Sequence, residues 1–159
     1  MSNNVFLASL PAKRMSAGCV IRDVHGNVLV VQPTYKKTLE IPGGITEQNE
    51  SPKHCARREI TEELGLNLEP GRLLVVNYGS PSMERTESLS FIFDGGILEP
   101  ELIAQIRLPN IELESFRFVL VKELPRLLIV DLARRVICAL DALEAGETWY
   151  LEDGVKTHL

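Results

Sequence analysis

The sequence predicts one α/β or α+β domain spanning residues 1–159, and three observations carry that expectation. Short apolar, β-branched runs recur along the chain with glycine- and asparagine-bearing turns between them, the pattern of strands. Two longer stretches, 51–64 and 131–145, carry helical spacing and end at Gly65 and Gly146. Nothing repeats, no linker intervenes, and 45% apolar against 25% charged residues is the composition of a chain that builds a packed core.

Residues 1–14 hold an apolar stretch (5–10) followed by Lys13 and Arg14, the reverse of a secretory signal, and predict a loose tail or a short leading strand. Residues 15–22 and 28–31 read as a β-hairpin around the turn cluster Asp23-Val24-His25-Gly26-Asn27. A loop at 33–37 leads to a short strand at 38–41, then to Pro42-Gly43-Gly44, expected as irregular backbone. The helix at 51–64 has Ser51 as N-cap, Pro52 in the first turn and Gly65 as a left-handed cap. Apolar strands follow at 73–78 and 89–93, with a polar loop between them and Asp94-Gly95-Gly96 as a turn after them. A strand at 112–121, a helical piece at 122–128 and the amphipathic helix 131–145 complete the order.

Charge and composition exclude several classes. Lys and Arg number 17 against 22 acids, a net −5 with no basic stripe, so a general electrostatic grip on nucleic acid or an anionic membrane is not expected. No apolar run approaches the ~18 residues of a membrane span. Cys19, Cys55 and Cys138 form no CxxC pair and read as small buried hydrophobes in a reducing, cytoplasmic setting. His25 and His158 lack zinc-ligand spacing, and neither GxGxxG nor GxxxxGK[ST] occurs.

Chemistry concentrates between residues 44 and 66. The chain reads Gly44, five residues, Glu50, seven residues, then Arg58-Glu59-Ile60-Thr61-Glu62-Glu63-Leu64-Gly65-Leu66. At about 100° per helical residue, Glu59, Glu62 and Glu63 share one arc. Like charges at those spacings repel, and a divalent cation would offset the repulsion. Oxygen-only ligands suit Mg²⁺ or Mn²⁺. A solvated glutamate face is the alternative reading of the same spacing. Arg58, four residues before Glu62, can steer a carboxylate without filling a metal position.

These 23 residues resemble the signature box of the Nudix hydrolases at every defined position, and Leu39-Glu40-Ile41-Pro42-Gly43-Gly44 resembles that family's approach to it. The resemblance implies an α/β/α sandwich around a mixed sheet, with the box as loop–helix–loop. It further implies Mg²⁺- or Mn²⁺-dependent hydrolysis of a nucleoside diphosphate linked to another moiety. Glu59, Glu62, Glu63 and the Gly44 carbonyl become the metal-binding set, Arg58 orients the glutamates, and Glu50 braces the loop. A later catalytic glutamate is implied at Glu112, with Glu114 as runner-up and a solvated rim glutamate as the plain alternative.

Glu40, Arg22, Lys36, Lys37 and Arg85 stand as substrate-binding candidates and Tyr35, Tyr78 or Phe93 as rings able to stack a base, with an ordinary surface or core role as the plain alternative for each. Pro81, 15 residues past the box, resembles the proline of ADP-ribose pyrophosphatases and tilts the expected substrate toward a nucleoside diphosphate sugar such as ADP-ribose. A (d)NTP pyrophosphohydrolase and a non-catalytic nucleotide-binding sensor are the rival readings. The expected partner is a small nucleotide, with room for a homodimer.

Overall fold

A computed structural model describes residues 3–109 and 111–157; His158 lies outside them. The chain begins with a short exposed helix, α1 (Asn3–Ala8), where a loose tail or strand was expected. Then come β1 (Arg14–Asp23), β2 (Val28–Pro33), β3 (Gly43–Ile45), α2 (Pro52–Leu64), β4 (Leu73–Gly79) and β5 (Ser88–Leu98). They are followed by α3 (Pro100–Ile103), β6 (Leu113–Val119), a 3₁₀ turn at Val121–Glu123, α4 (Leu124–Leu127), α5 (Val130–Ala145), β7 (Trp149–Glu152) and β8 (Val155–Lys156). Among the described residues, no helix is long and apolar enough to cross a membrane.

The strands form one mixed sheet in the order β6-β2-β1-β5-β4-β7-β8, with β3 paired to the start of β1. The β1–β5 and β4–β7 pairs are parallel and the others antiparallel. Alternation along the strands divides the side chains between two cores. Cys19, Ile21, Leu29 and Val31 meet Cys55, Ala56, Ile60 and Leu64 of α2 on one face. Val20, Val28, Val30 and Val75 meet Leu132, Ala133, Val136 and Ala139 of α5 on the other. The result is the expected α/β/α sandwich. Full burial of Ile60 and Leu64, about 1.5–3 kcal/mol each, pins the box helix to the sheet.

The caps of α2 form as its sequence requires. Ser51 accepts from the His54 N–H at 3.2 Å, and Gly65 closes the helix at φ +67°. Two glycine-bearing segments differ from expectation. Gly43–Ile45 is a strand, because Gly18 and Gly43 let two backbones meet: a Cβ on Gly43 would lie 2.5 Å from the Ala17 carbonyl. Asp94-Gly95-Gly96 is not a turn but a bulge inside β5. Val20 pairs with Asp94 and Arg22 with Ile97, so one residue of β1 faces two of β5. Asp94 holds the bulge by accepting from Gly96 N–H at 2.9 Å and from Arg22 at 3.0 Å. The short strand expected at 38–41 reduces to single bridges, Val31 to Glu40 and Leu39 to Leu128.

Candidate active site

The loop entering α2 is tied to the helix by one arginine. Arg58 makes a two-pronged pair with Glu50, Nε to Oε1 at 2.8 Å and Nη2 to Oε2 at 2.9 Å. Its Nη1 donates to Glu59 at 2.9 Å and to Glu62 at 3.0 Å, and Nη2 to the Ile45 carbonyl at 3.2 Å. Glu50 also accepts from the Glu47 N–H at 2.9 Å and is 8% exposed. Hydrogen bonding from Arg58 lowers its pKa to about 2, and the pair raises that of Arg58. The box arginine is therefore a hub joining three of the four glutamates.

Glu59 and Glu63 face a cleft of about 550 Å³ between the start of β1, the Gly43–Gly44 approach and α5. Glu63 accepts from the Gly43 N–H at 3.0 Å. Burial, with Glu59, Glu40 and Glu112 adding repulsion, pushes its pKa up to about 8 despite that hydrogen bond. Burial raises Glu59 as well, against the pull of Arg58. Glu40 and Glu112 line the same cleft, so four carboxylates from separate parts of the chain or successive helical turns meet there. Glu40 is paired with Lys36, and the Glu112 carbonyl accepts from Thr34 N–H at 2.8 Å.

Glu62 stands apart. Its side chain is 50% exposed, held by Arg58, and does not line the cleft, so the three box glutamates are not equivalent. Glu114 faces a separate hollow beside Gln32 and Lys37. Arg22 is placed away from the cleft, bound to Asp94 across the β5 bulge. Arg85 lines a second, polar hollow next to the cleft and pairs with Asp131 at 3.5 Å. Pro81 is exposed and lines neither cavity, whereas Ser80 and Arg85 at the ends of its loop line the polar hollow. Of the three candidate rings, Tyr35 lines the cleft, Phe93 lies in the α2 core, and Tyr78 donates to Glu87 at 2.8 Å.

The donor set was tested against a divalent cation. Among the described residues, no three carboxylate, histidine or cysteine side chains converge on one point. The hydrogen bonds explain this: Glu59 and Glu62 are drawn to Arg58, and Glu63 to Gly43. The chemistry fits nonetheless. The donors are oxygens alone, burial and neighbouring carboxylates raise Glu59 and Glu63, and the Gly44 main chain abuts Glu59. A Cβ on Gly44 would lie 2.2 Å from Glu59 Oε1, so a side chain there would push the Glu59 carboxylate aside. Cys55 is no rival nucleophile: burial pushes its thiol to about 11, and the Sγ sits 3.6 Å from the Gly44 carbonyl.

The two glycines give opposite expectations. Gly43→Ala drives a Cβ into backbone and should cost about 2–3 kcal/mol of stability. Gly44→Ala meets only the movable end of Glu59, so stability should change by less than about 1 kcal/mol while turnover drops about 100-fold. Urea unfolding and steady-state rates of both variants check this; an active, stable Gly44→Ala would count against a tight Gly44–Glu59 contact in the site.

Sequence reasoning missed Arg135 of α5, which lines both the cleft and the polar hollow. It lay unmarked on the polar side of an amphipathic helix, and only the fold carries it to β1 and β5.

The NUDIX domain family matches residues 12–140. Over 62 residues, 36% of this chain and 55% of the relative, the chain is 39% identical to an 8-oxo-dGTP diphosphatase of Proteus vulgaris; the chain thus spans about half of that relative's length. Among solved structures, a MutT protein of Methanosarcina mazei superposes with a TM-score of 0.66 at 21% identity, covering 88% of this chain and all of that one (100%). The NUDIX domain of Shewanella oneidensis NrtR, complexed with ADP ribose, superposes with a TM-score of 0.70 at 15% identity, covering 90% of this chain and 99% of that one. At these identities the two structures speak to the fold.

Proposed function

Because the chain belongs to the Nudix family over residues 12–140, we propose that it hydrolyses the diphosphate bond of a small nucleoside diphosphate derivative with Mg²⁺ or Mn²⁺. One observation carries this reading: Glu59 and Glu63 of the box helix, with Glu40 and Glu112, line a single cleft beside the bare Gly44 backbone. Glu59, Glu63 and the Gly44 carbonyl would hold the cation. When bound, it offsets diphosphate charge and makes a water acidic enough to attack phosphorus.

The protein's own groups then have distinct tasks. Arg58 fixes the direction of Glu59, and Glu50 fixes Arg58. The Gly43 N–H fixes Glu63. Glu112, which lines the same cleft, would accept a proton from the attacking water. A cleft of about 550 Å³ suits a small molecule rather than a polymer.

Pro81 faces outward and lends a diphosphosugar no support; the likeness to a domain complexed with ADP ribose does. The stretch similar to an 8-oxo-dGTP diphosphatase favours the second reading, a nucleoside triphosphate substrate. The intact set of box glutamates weighs against a non-catalytic sensor.

A panel of nucleoside diphosphate derivatives and triphosphates, scored for phosphate release after phosphatase coupling, tests the activity. Turnover should fall at least about 100-fold in chelator and return with Mg²⁺ or Mn²⁺ but without need of Zn²⁺. Full turnover in chelator, or tightly bound stoichiometric zinc, would overturn it.

A further inference from the structure

The face of the sheet under α5 is apolar along most of its length and polar at one end. Val20, Val75 and Ile92 pack against Val136 and Ala139. Four residues earlier on β1, two and four earlier on β5, and two later on β4, the same face carries Ser16, Ser90, Ser88 and Asn77, beneath the first turns of α5. These groups line a hollow of about 160 Å³ that shares Ser16, Ile45, Ser90 and Arg135 with the carboxylate cleft, so the two spaces adjoin. No aromatic ring lines it. A nucleobase would find nothing to stack on there.

The charges are unbalanced. Both Asp153 oxygens are taken by Ser80, from N–H at 2.8 Å and from the hydroxyl at 2.7 Å. The Asp131 carboxylate is engaged by Arg85 at 3.5 Å. Arg14 donates only to the neutral Thr86 carbonyl at 3.4 Å. Arg135 donates Nε to the Asp131 carbonyl of its own helix at 3.1 Å, and its two Nη groups have no hydrogen-bond partner among the described residues. Arg14 and Arg135 thus make no ion pair among the described residues, and with Arg85 they outnumber Asp131 and Asp153 around a hydroxyl-lined hollow. Guanidinium stays charged under any ordinary condition, and its fork matches the oxygens of a phosphoryl group. Two such cations match a dianion better than a singly charged carboxylate.

We propose that this hollow binds a second phosphoryl group of the substrate, a monoester phosphate separate from the diphosphate to be cleaved, and that Arg135 makes the substrate choice there. The inference rests on the hydrolase reading above for the position of the diphosphate. The substrate class becomes a nucleoside diphosphate derivative bearing an additional sugar phosphate.

Matched pairs differing only in that phosphate provide the test: 2′-phospho-ADP-ribose and ADP-ribose, NADPH and NADH, coenzyme A and dephospho-coenzyme A. In at least one pair the phosphorylated member should lead by about tenfold or more in kcat/KM with Mg²⁺. Arg135→Gln should shrink that ratio below about threefold, and Arg85→Gln, a change on an exposed loop that the fold tolerates, should shrink it in part. A second arm needs neither metal nor turnover. Calorimetry in chelator should find adenosine 2′,5′- or 3′,5′-bisphosphate bound at least about tenfold tighter than 5′-AMP, with the advantage lost in Arg135→Gln.

Metal-dependent hydrolysis that ignores the extra phosphate in every pair, together with equal binding of bisphosphate and monophosphate, would overturn the proposal and leave the hydrolase standing. The same holds if discrimination follows the base alone. Arg135-dependent preference for the bisphosphates without hydrolysis of any diphosphate would uphold the hollow and sink the hydrolase reading.

Discussion

Glu63→Gln is expected to lower kcat about 10³-fold or more, on the order of 4 kcal/mol of transition-state stabilisation. Glutamine keeps the shape and the acceptor for the Gly43 N–H while removing the charge that would hold a cation. The fold should therefore persist, and a buried, crowded carboxylate is replaced by a neutral group. Glu59→Gln should fall comparably. Glu62→Gln should lose less, about tenfold, because Glu62 is half-exposed, outside the cleft and engaged by Arg58. Rates with Mg²⁺ beside urea unfolding of all three variants measure this ordering. A Glu63→Gln enzyme with near wild-type turnover on a confirmed substrate would refute its role.

Arg58→Met should be the most destabilising change in the site. It strands Glu50, 8% exposed, without its two-pronged partner, and losing one member of so buried a pair costs about 3 kcal/mol. It also frees Glu59 and Glu62, so kcat should fall about 100-fold as well. Arg58→Lys should rescue little, since an ammonium cannot form the fork. Adding Glu50→Gln to Arg58→Met should restore most of the stability but not the rate, and that split separates bracing from positioning. The pair is also acid-sensitive in a defined window. Glu50 is held from 4.5 down to about 2 in the folded protein, so its contribution is complete above about pH 4.5 and is lost as pH falls toward 2. The stability gap between wild type and Arg58→Met should narrow across that window in urea melts. A gap unchanged from pH 7 to pH 2 would mean the pair is not what supports the loop.

The box could be read directly because its chemistry is local. One helix with a capped start, a left-handed end and fixed spacing sets the angles at which Arg58, Glu59 and Glu63 leave the backbone. What spacing could not show is which glutamate turns inward; the 100° arc treats Glu62 and Glu63 alike, and only packing against β1 separates them. The paired strands were legible wherever apolar residues run together. Short segments were not: β7 and β8 are four and two residues long, and their alignment depends on pairing with the distant β4. The Asp94-Gly95-Gly96 bulge carries the composition of a turn, and the parallel pairing with β1 overrides it. Arg135 and the serines of the polar hollow come from α5, β1, β5 and the loop after β4, so no stretch of sequence announces them.

Glu59 and Glu63 are the proposed cation ligands. Mn²⁺ titrated into the protein with a non-hydrolysable methylene diphosphonate nucleotide, followed by electron paramagnetic resonance of the free ion, measures that directly. Wild type should take up Mn²⁺ in the presence of the analogue, and Glu63→Gln and Glu59→Gln should each weaken the uptake about tenfold or more. Variants that bind Mn²⁺ as tightly as wild type would place the cation elsewhere and contradict the proposed site.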